Sequence, residues 1–275
     1  FYKKTFDFAI THVAPTWVFE HLRKYSSKCI KMDRKPVDST LFEDKSTALS
    51  KKKEKFTFFC PQRMGIPKGT DILWKALGYC KTDFQILQVD WRDTGTDEEN
   101  KTSLQLRENL PSQVELIPMI KRKDMPSYYY WADAVIGNLR IGSFEYVELE
   151  GVICDKPVVS FTDKSFKIIL EGTELQSPFL PEHNDPKIIA EIIDNIVSSA
   201  DFREKLYKKE YEFVKEIADP NKAAEWWDSL FEKSVKKYDS INRKSSIITV
   251  RFRMLLFLIA NRLYYKKLKR LNQSL

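Results

Sequence analysis

Histidine is scarce: His12, His21 and His183 are the only three in 275 residues, and none stands at a metal-ligand spacing from another. Metal centres need clustered ligands, so each reads as an ordinary surface or core residue, and no metal is expected. The four cysteines, Cys29, Cys60, Cys80 and Cys154, are far apart and form no Cys-x-x-Cys pair. That argues against a zinc site, gives no disulfide framework and makes a reducing compartment the default. No apolar run is long enough to cross a bilayer: the uncharged stretch at 254–260 falls well short of the roughly 20 residues required. Lys3 and Lys4 lead into no apolar run with a cleavage site, so no signal peptide is read. There is no internal repeat and no low-complexity linker. The basic residues do not gather with aromatics in any recognised nucleic-acid-binding module, so nucleic acid is not an expected partner.

What is present fits a soluble globular chain, with 43% hydrophobic and 31% charged residues. The formal charge of +7 suits anionic partners such as nucleotides or anionic lipid. From Lys55 onward short apolar runs alternate with helical patterns, the signature of a parallel α/β sheet. Strands are expected at 56–60, 84–89, 114–117, 134–136 and 157–161, with a sixth at 177–180. A helix is expected around 71–80, a loop at 94–101 with a helix running on to Asn109, and a short helix opened by Met125-Pro126. Asn184-Asp185-Pro186 is a helix start, and Ile188, Ile189, Ile192, Ile193 and Ile196 follow at helical spacing. Helices are expected to continue through 202–218 and 223–238. The last segment, 249–270, is basic with Phe, Leu and Tyr interspersed. It fits either an amphipathic helix lying on an anionic membrane surface or one packing its apolar face on protein.

Two segments can carry chemistry. The turn after the first strand of the sheet, Pro61-Gln-Arg63-Met-Gly65-Ile-Pro-Lys68-Gly69, lies beyond a strand's carboxyl end, where open α/β sheets bind ligands. Arg63 and Lys68 can clasp a diphosphate, one by forked hydrogen bonds and one as a point charge; two solvated surface cations are the alternative. The second segment contains Gly142, Ser143, Phe144, Glu145 and Tyr146 and enters a helix carrying Glu148 and Glu150. A Gly-Ser turn into a helix offers free N–H groups and a positive dipole end to an anion. Glu150 can accept hydrogen bonds from ribose hydroxyls. Glu145 and Glu148 read as solubilising residues of a surface helix.

Together these segments resemble the family 4 glycosyltransferases. The likeness rests on Arg63 five residues before Lys68-Gly69, the helix Thr70-Asp-Ile-Leu-Trp-Lys-Ala76, Tyr130-Trp-Ala-Asp-Ala-Val-Ile136, and Leu149-Glu150-Gly151 through Cys154-Asp-Lys-Pro-Val-Val159. Asp185-Pro186-Lys187 and Pro36-Val37-Asp38-Ser-Thr-Leu-Phe42 extend it over about residues 36–235. The resemblance implies the donor-binding, Rossmann-like C-terminal half of a two-domain GT-B enzyme, with extra C-terminal helices. It implies a UDP- or GDP-sugar as donor substrate, no other cofactor, no metal, and retention at the anomeric carbon. Arg63, Lys68 and Glu150 would be the catalytic set, the first two neutralising the leaving diphosphate and Glu150 holding the ribose. The backbone of 142–146 would contact phosphates and sugar. Two departures stand out: Gly142 occupies the position where the family has the first of two Glu residues, and Gly151 stands where Ala is usual. The chain begins at Phe1 rather than Met and reads as part of a longer protein. Residues 1–35 would be the remnant of an acceptor domain, with its last strand at 8–11 and last helix at 13–25, 36–238 the donor domain and 239–275 a basic amphipathic tail. A cytoplasmic location is expected, and a peripheral place at the inner membrane face rests on that tail alone. The alternatives are a non-catalytic nucleotide-sugar-binding or scaffold module of the same fold, and a sugar-nucleotide epimerase.

Overall fold

The structure, a computed structural model, describes residues 12–24, 28–32, 34–50, 52–91 and 97–240, and positions 255, 256, 258, 259 and 262. It forms two compact units, Phe1–Ser229 and Leu230–Leu275. In the first, a parallel pair comes before the main domain: β1 (His12–Pro15) and β2 (Cys29–Met32), joined through helix α1 (Thr16–Leu22). The expected strand at 8–11 lies outside the described residues. The helix expected from Val13 begins instead at Thr16, because Pro15 biases the residue before it away from the helical region and keeps this stretch in the strand.

The main sheet has five parallel strands: β3 (Phe56–Cys60), β4 (Phe84–Val89), β5 (Val114–Ile117), β6 (Ala134–Ile136) and β7 (Val158–Val159), in the spatial order β5-β4-β3-β6-β7. Between them run α2 (Thr70–Leu77), α3 (Asp97–Glu108), α4 (Met125–Trp131) and α5 (Tyr146–Ile153). The strands read as continuous apolar runs because both faces are covered. Phe58, Ile86, Ala134 and Ile136 point to one core, which Ile72, Leu73 and Ala76 of α2 close from outside. Phe59, Leu87 and Val135 point to the other, closed by Tyr129 and Leu149. Adjacent Phe58 and Phe59, both fully buried, thus serve opposite layers, as the two-residue period of a strand requires.

Several expected boundaries moved. The strand at 157–161 keeps only Val158 and Val159 in the ladder. Ser160 then turns its N–H to Leu180 O and Phe161 donates to Asn138 O, so the chain leaves the sheet to serve the loops above it. The segment 177–180 contributes one parallel bridge, Val159 to Leu180, rather than a sixth strand. The helix expected to follow a loop at 94–101 already starts at Asp97. Its sequence there is polar and shows no apolar period. The helix is held by tertiary bonds, Ser103 Oγ to Met64 O at 2.9 Å and Trp74 Nε1 to Leu106 O at 3.0 Å. An antiparallel hairpin, β8 (Ile168–Leu170) and β9 (Thr173–Leu175), is an addition the sequence reading lacked.

The chain continues through α6 (Pro186–Ser198), α7 (Ala200–Ile217) and α8 (Pro220–Ser240), the first unit ending at Ser229. Asp185 caps α6 through the N–H groups of Lys187 and Ile188, an interaction worth about 1 kcal/mol. Ile189, Ile193 and Ile196 of α6 are fully buried against α2 and the sheet. Contacts cross the expected boundary at 35/36, since Lys35 N donates to Ile217 O and Val37 N to Ala218 O, both at 3.1 Å. In the tail, the described positions 239, 240, 255, 256, 258, 259 and 262 are helical, and the remainder lies outside the described residues. No described helix is long and apolar enough to cross a membrane.

Candidate functional site

β3 and β6 are neighbours in the sheet, so the loops leaving their carboxyl ends face each other. The first loop is built on Gly65 and Gly69. Gly65 N donates to Thr70 Oγ1 at 3.0 Å, while Gly65 O accepts from Lys68 and Thr70. Gly69 has φ +78°, and a Cβ there would stand 3.0 Å from the Leu139 backbone, so only glycine lets the two loops meet. They are stitched by Leu139 N to Lys68 O at 3.2 Å and by Arg140, whose guanidinium holds both Asp71 oxygens at 2.8 and 2.7 Å.

That approach brings Lys68 onto Glu145. The ammonium and carboxylate form a half-buried ion pair, and Asn138 Nδ2 approaches the same carboxylate at 3.4 Å. Arg63 is half-buried on the first loop, two residues beyond Pro61. Gly142 has φ +75° and is buried; Asp163 N donates to its carbonyl at 2.9 Å. Ser143 and Phe144 are buried behind it, and Tyr146 is exposed at the first turn of α5.

Glu145 is the N-cap of α5 and forms a reciprocal capping box with Glu148. Glu148 is fully buried, which corrects its reading as a solubilising residue. Its carboxylate has a set of donors waiting for it: Asn138 N, Glu145 N and Ser160 Oγ, each at 2.8 Å. Three buried polar atoms of these loops, Gln62 Oε1 on the first and Arg140 Nε and Ser143 Oγ on the second, have no hydrogen-bond partner among the described residues. Such groups are uncommon in folded proteins.

Beside the loops lies a cavity of about 510 Å³, the size of a small-ligand site. Pro61, Val89, Trp91, Met119, Ile120 and Val147 give it apolar walls, and Tyr146, Arg122 and Glu150 supply polar groups. Glu150 is 3% exposed. Its Oε1 pairs with Arg122 at 2.7 Å and its Oε2 accepts from Tyr129 OH at 3.0 Å. Burial, and then the Glu150 charge, push the Tyr129 hydroxyl well above its ordinary range, so it stays a donor. The hydrogen bond to Glu150 is the main cause of the raised Arg122 pKa. A carboxylate has about four acceptor positions, so Glu150 retains capacity for a ligand hydroxyl. Arg122 and Asn138 were not singled out from sequence; the basic run Lys121-Arg122-Lys123 in the loop after β5 was the available signal for the former. Among the described residues no group of His, Cys, Asp and Glu has the arrangement of a metal site.

The site is thus an anion-competent loop pair with an adjoining apolar cavity at the carboxyl edge of an open parallel sheet, the place where such sheets bind ligands. The family described as glycosyl transferases group 1 matches residues 42–213, and the chain belongs to that family. Its fold is that of the GT-B glycosyltransferases. HepE of Anabaena, solved with UDP and glucose, superposes with a TM-score of 0.64 at 17% identity, over 83% of this chain and 65% of that one. Sucrose-phosphate synthase of Thermosynechococcus elongatus gives 0.62 at 18% identity, over 84% and 60%. A glycosyltransferase of Rickettsia africae gives 0.58 at 20% identity, over 89% and 68%. The chain thus spans 65% of the length of HepE. No curated protein is a significant match.

Proposed function

We propose that this chain binds a nucleotide-sugar and serves as the donor half of a retaining, metal-independent glycosyltransferase resembling family 4. The observation that carries this is the meeting of the two loops. It sets Lys68 against the N-terminus of α5 beside a cavity whose inner polar group is the buried Glu150. In this reading the cavity takes the nucleoside, with ribose hydroxyls donating to Glu150. The diphosphate displaces the Glu145 carboxylate from Lys68 and is held by Lys68, Arg63 and the backbone of 142–146. As the bond from the anomeric carbon to the diphosphate breaks, negative charge grows on the leaving oxygen. Two fixed cations in a partly buried site stabilise that charge more than they stabilise the intact donor. HepE, a fold relative, was solved with UDP and with UDP-glucose, which makes UDP-sugars the first donors to test. The basic segment 249–270 supports contact with an anionic membrane surface on the cytoplasmic side, testable by co-sedimentation with anionic against neutral vesicles.

Calorimetric titration with UDP, GDP and their sugar conjugates, without added metal, tests the donor site. One nucleotide is expected to bind the wild-type chain, and Arg63→Ala/Lys68→Ala is expected to abolish that binding. Folded wild-type protein that binds none of them would sink the proposal. A non-catalytic nucleotide-sugar-binding module has one observation in its favour: Gly142 has no room for a side chain. Tight donor binding with no sugar released to water or to any acceptor offered would favour it.

A further inference from the structure

The segment that enters the donor domain is fastened to the same loops. Besides the backbone bonds to the end of α7, Arg34 is 4% exposed and donates to Glu216 O at 2.6 Å. It also holds Glu171 at the turn of the β8–β9 hairpin at 2.7 Å. Lys35 beside it is 6% exposed and sends its charge inward. The ammonium donates to the carbonyl of Phe144 and stands 4.7 Å from the centre of the Phe144 ring. That ring is itself fixed edge-to-face against Phe213 of α7, at 5.3 Å.

A buried ammonium is costly unless it is bonded and compensated, and a Met would fill the same space more cheaply. The hydrogen-bond partner of Lys35 is a carbonyl. The charges around it are Glu148 and Glu145 on and beside α5, and Lys68 on the facing loop. Burial draws its pKa down, Glu148 and Glu145 oppose this, and Lys68 adds to it. The contact falls at a decisive peptide. The plane joining Phe144 to Glu145 is gripped from both sides, by Lys35 on its carbonyl and by Glu148 on its N–H at 2.8 Å. The next group along is the Glu145 carboxylate, which holds Lys68.

We propose that Lys35 is a positioning residue for the diphosphate: by fixing the Phe144–Glu145 peptide it sets the backbone of 142–145 that meets the diphosphate in the proposed donor site. The inference rests on the donor-site reading above. It makes the phosphate end of the site, and not the nucleoside cavity, dependent on the entering segment.

The test compares a nucleoside diphosphate with its own nucleoside on the full chain, UDP with uridine or GDP with guanosine, whichever base binds. Lys35→Met is expected to weaken diphosphate binding by roughly tenfold, the order of one lost charge-assisted hydrogen bond. Nucleoside binding is expected to change by less than about twofold, because the cavity does not touch Lys35. A purely structural role would lower both alike, so equal losses, or no loss, overturn the inference. Should Lys35→Met not fold, Lys35→Arg carries the test, since it keeps the charge while moving it. The diphosphate is then expected to shift more than the nucleoside, and equal shifts again overturn the proposal. Wild-type protein that binds no nucleotide overturns the donor-site reading and this inference together. Wild-type binding with equal losses in the variant overturns this inference alone.

Discussion

Glu148 accepts the backbone N–H of Asn138 at 2.8 Å, so a side chain of α5 closes the loop that leads from β6 into that same helix. Its second oxygen accepts Glu145 N at 2.8 Å, and Ser160 Oγ shares the first. Only an acceptor-only group can serve three donors at once, which is why a carboxylate occupies a site with no water access. Glu148→Gln turns an amide NH2 toward a backbone donor and leaves that donor unsatisfied. The expected loss is about 1–3 kcal/mol of stability, seen as a lower urea midpoint with unchanged slope. Unchanged stability would mean that the loop can hold itself without this carboxylate.

Gly142 is set at φ +75°, and a Cβ there would lie 2.5 Å from Asp163 Cβ and 3.0 Å from Asp163 N. Both the left-handed backbone and the neighbour oppose any side chain. Gly142→Ala is expected to destabilise the chain by roughly 1–3 kcal/mol. Gly142→Glu, which would restore the residue the family resemblance leads one to expect, should cost at least as much and should not raise nucleotide affinity. Thermal unfolding and titration of both variants check this, and tighter binding by the Glu variant would refute it.

The central strands were legible because a sheet covered on both faces writes itself as apolar runs, as in Phe56–Cys60 and Phe84–Val89. The start of α6 was legible because Asp185-Pro186 is a local signal. The start of α3 was not, because tertiary bonds from Ser103 and Trp74 hold a polar stretch that has no period. Glu171-Gly172 carried a hairpin signal that the sequence reading passed over: both residues have positive φ, 52° and 85°. At the site, Lys68, Gly142 and Glu150 could be picked out because each sits in a stretch with chemical grammar of its own. Arg122 and Lys35 act through partners distant in the chain, and Lys35 lies 109 residues from Phe144. Glu148 bonds nearby Glu145 and Asn138, but its burial depends on how the loop from β6 folds back over it. Nothing local separates a buried Lys or Glu of this kind from a solvated one.

Arg122 and Glu150 form the polar pair of the cavity, the first side chain 55% exposed and the second buried. Arg122→Leu would leave a buried carboxylate with Tyr129 as its remaining described partner. The exposed half of the pair limits what is lost, so the expected stability change is small, about 1 kcal/mol. Binding should suffer more, and in a distinctive way. Because the proposed site puts the nucleoside in the cavity that this pair lines, the variant should weaken nucleoside and diphosphate by the same factor, roughly fivefold to tenfold. That pattern is the opposite of the one expected for Lys35→Met. A loss confined to the diphosphate would place Arg122 with the phosphates instead.

Glu210 gives a prediction about pH. It is fully buried on α7 and receives Val158 N at 3.0 Å, with no cation paired to it among the described residues. Burial pushes its carboxyl well above the ordinary 4.5, and the Val158 bond opposes this only in part. The folded chain therefore keeps this proton at pH values where the unfolded chain has released it. Its contribution to stability is whole below about pH 4.5 and is lost as pH rises through the elevated folded value. Glu210→Gln removes that slope while retaining an oxygen for Val158. Above the elevated value the variant should exceed wild type by on the order of 1 kcal/mol or more, and near pH 4 the advantage should vanish or reverse. Paired urea titrations from pH 4 to pH 8 isolate the effect, since all other ionisable groups are common to both proteins. A difference that stays constant across that range would mean Glu210 is ionised in the fold, and that an unrecognised donor or cation compensates it.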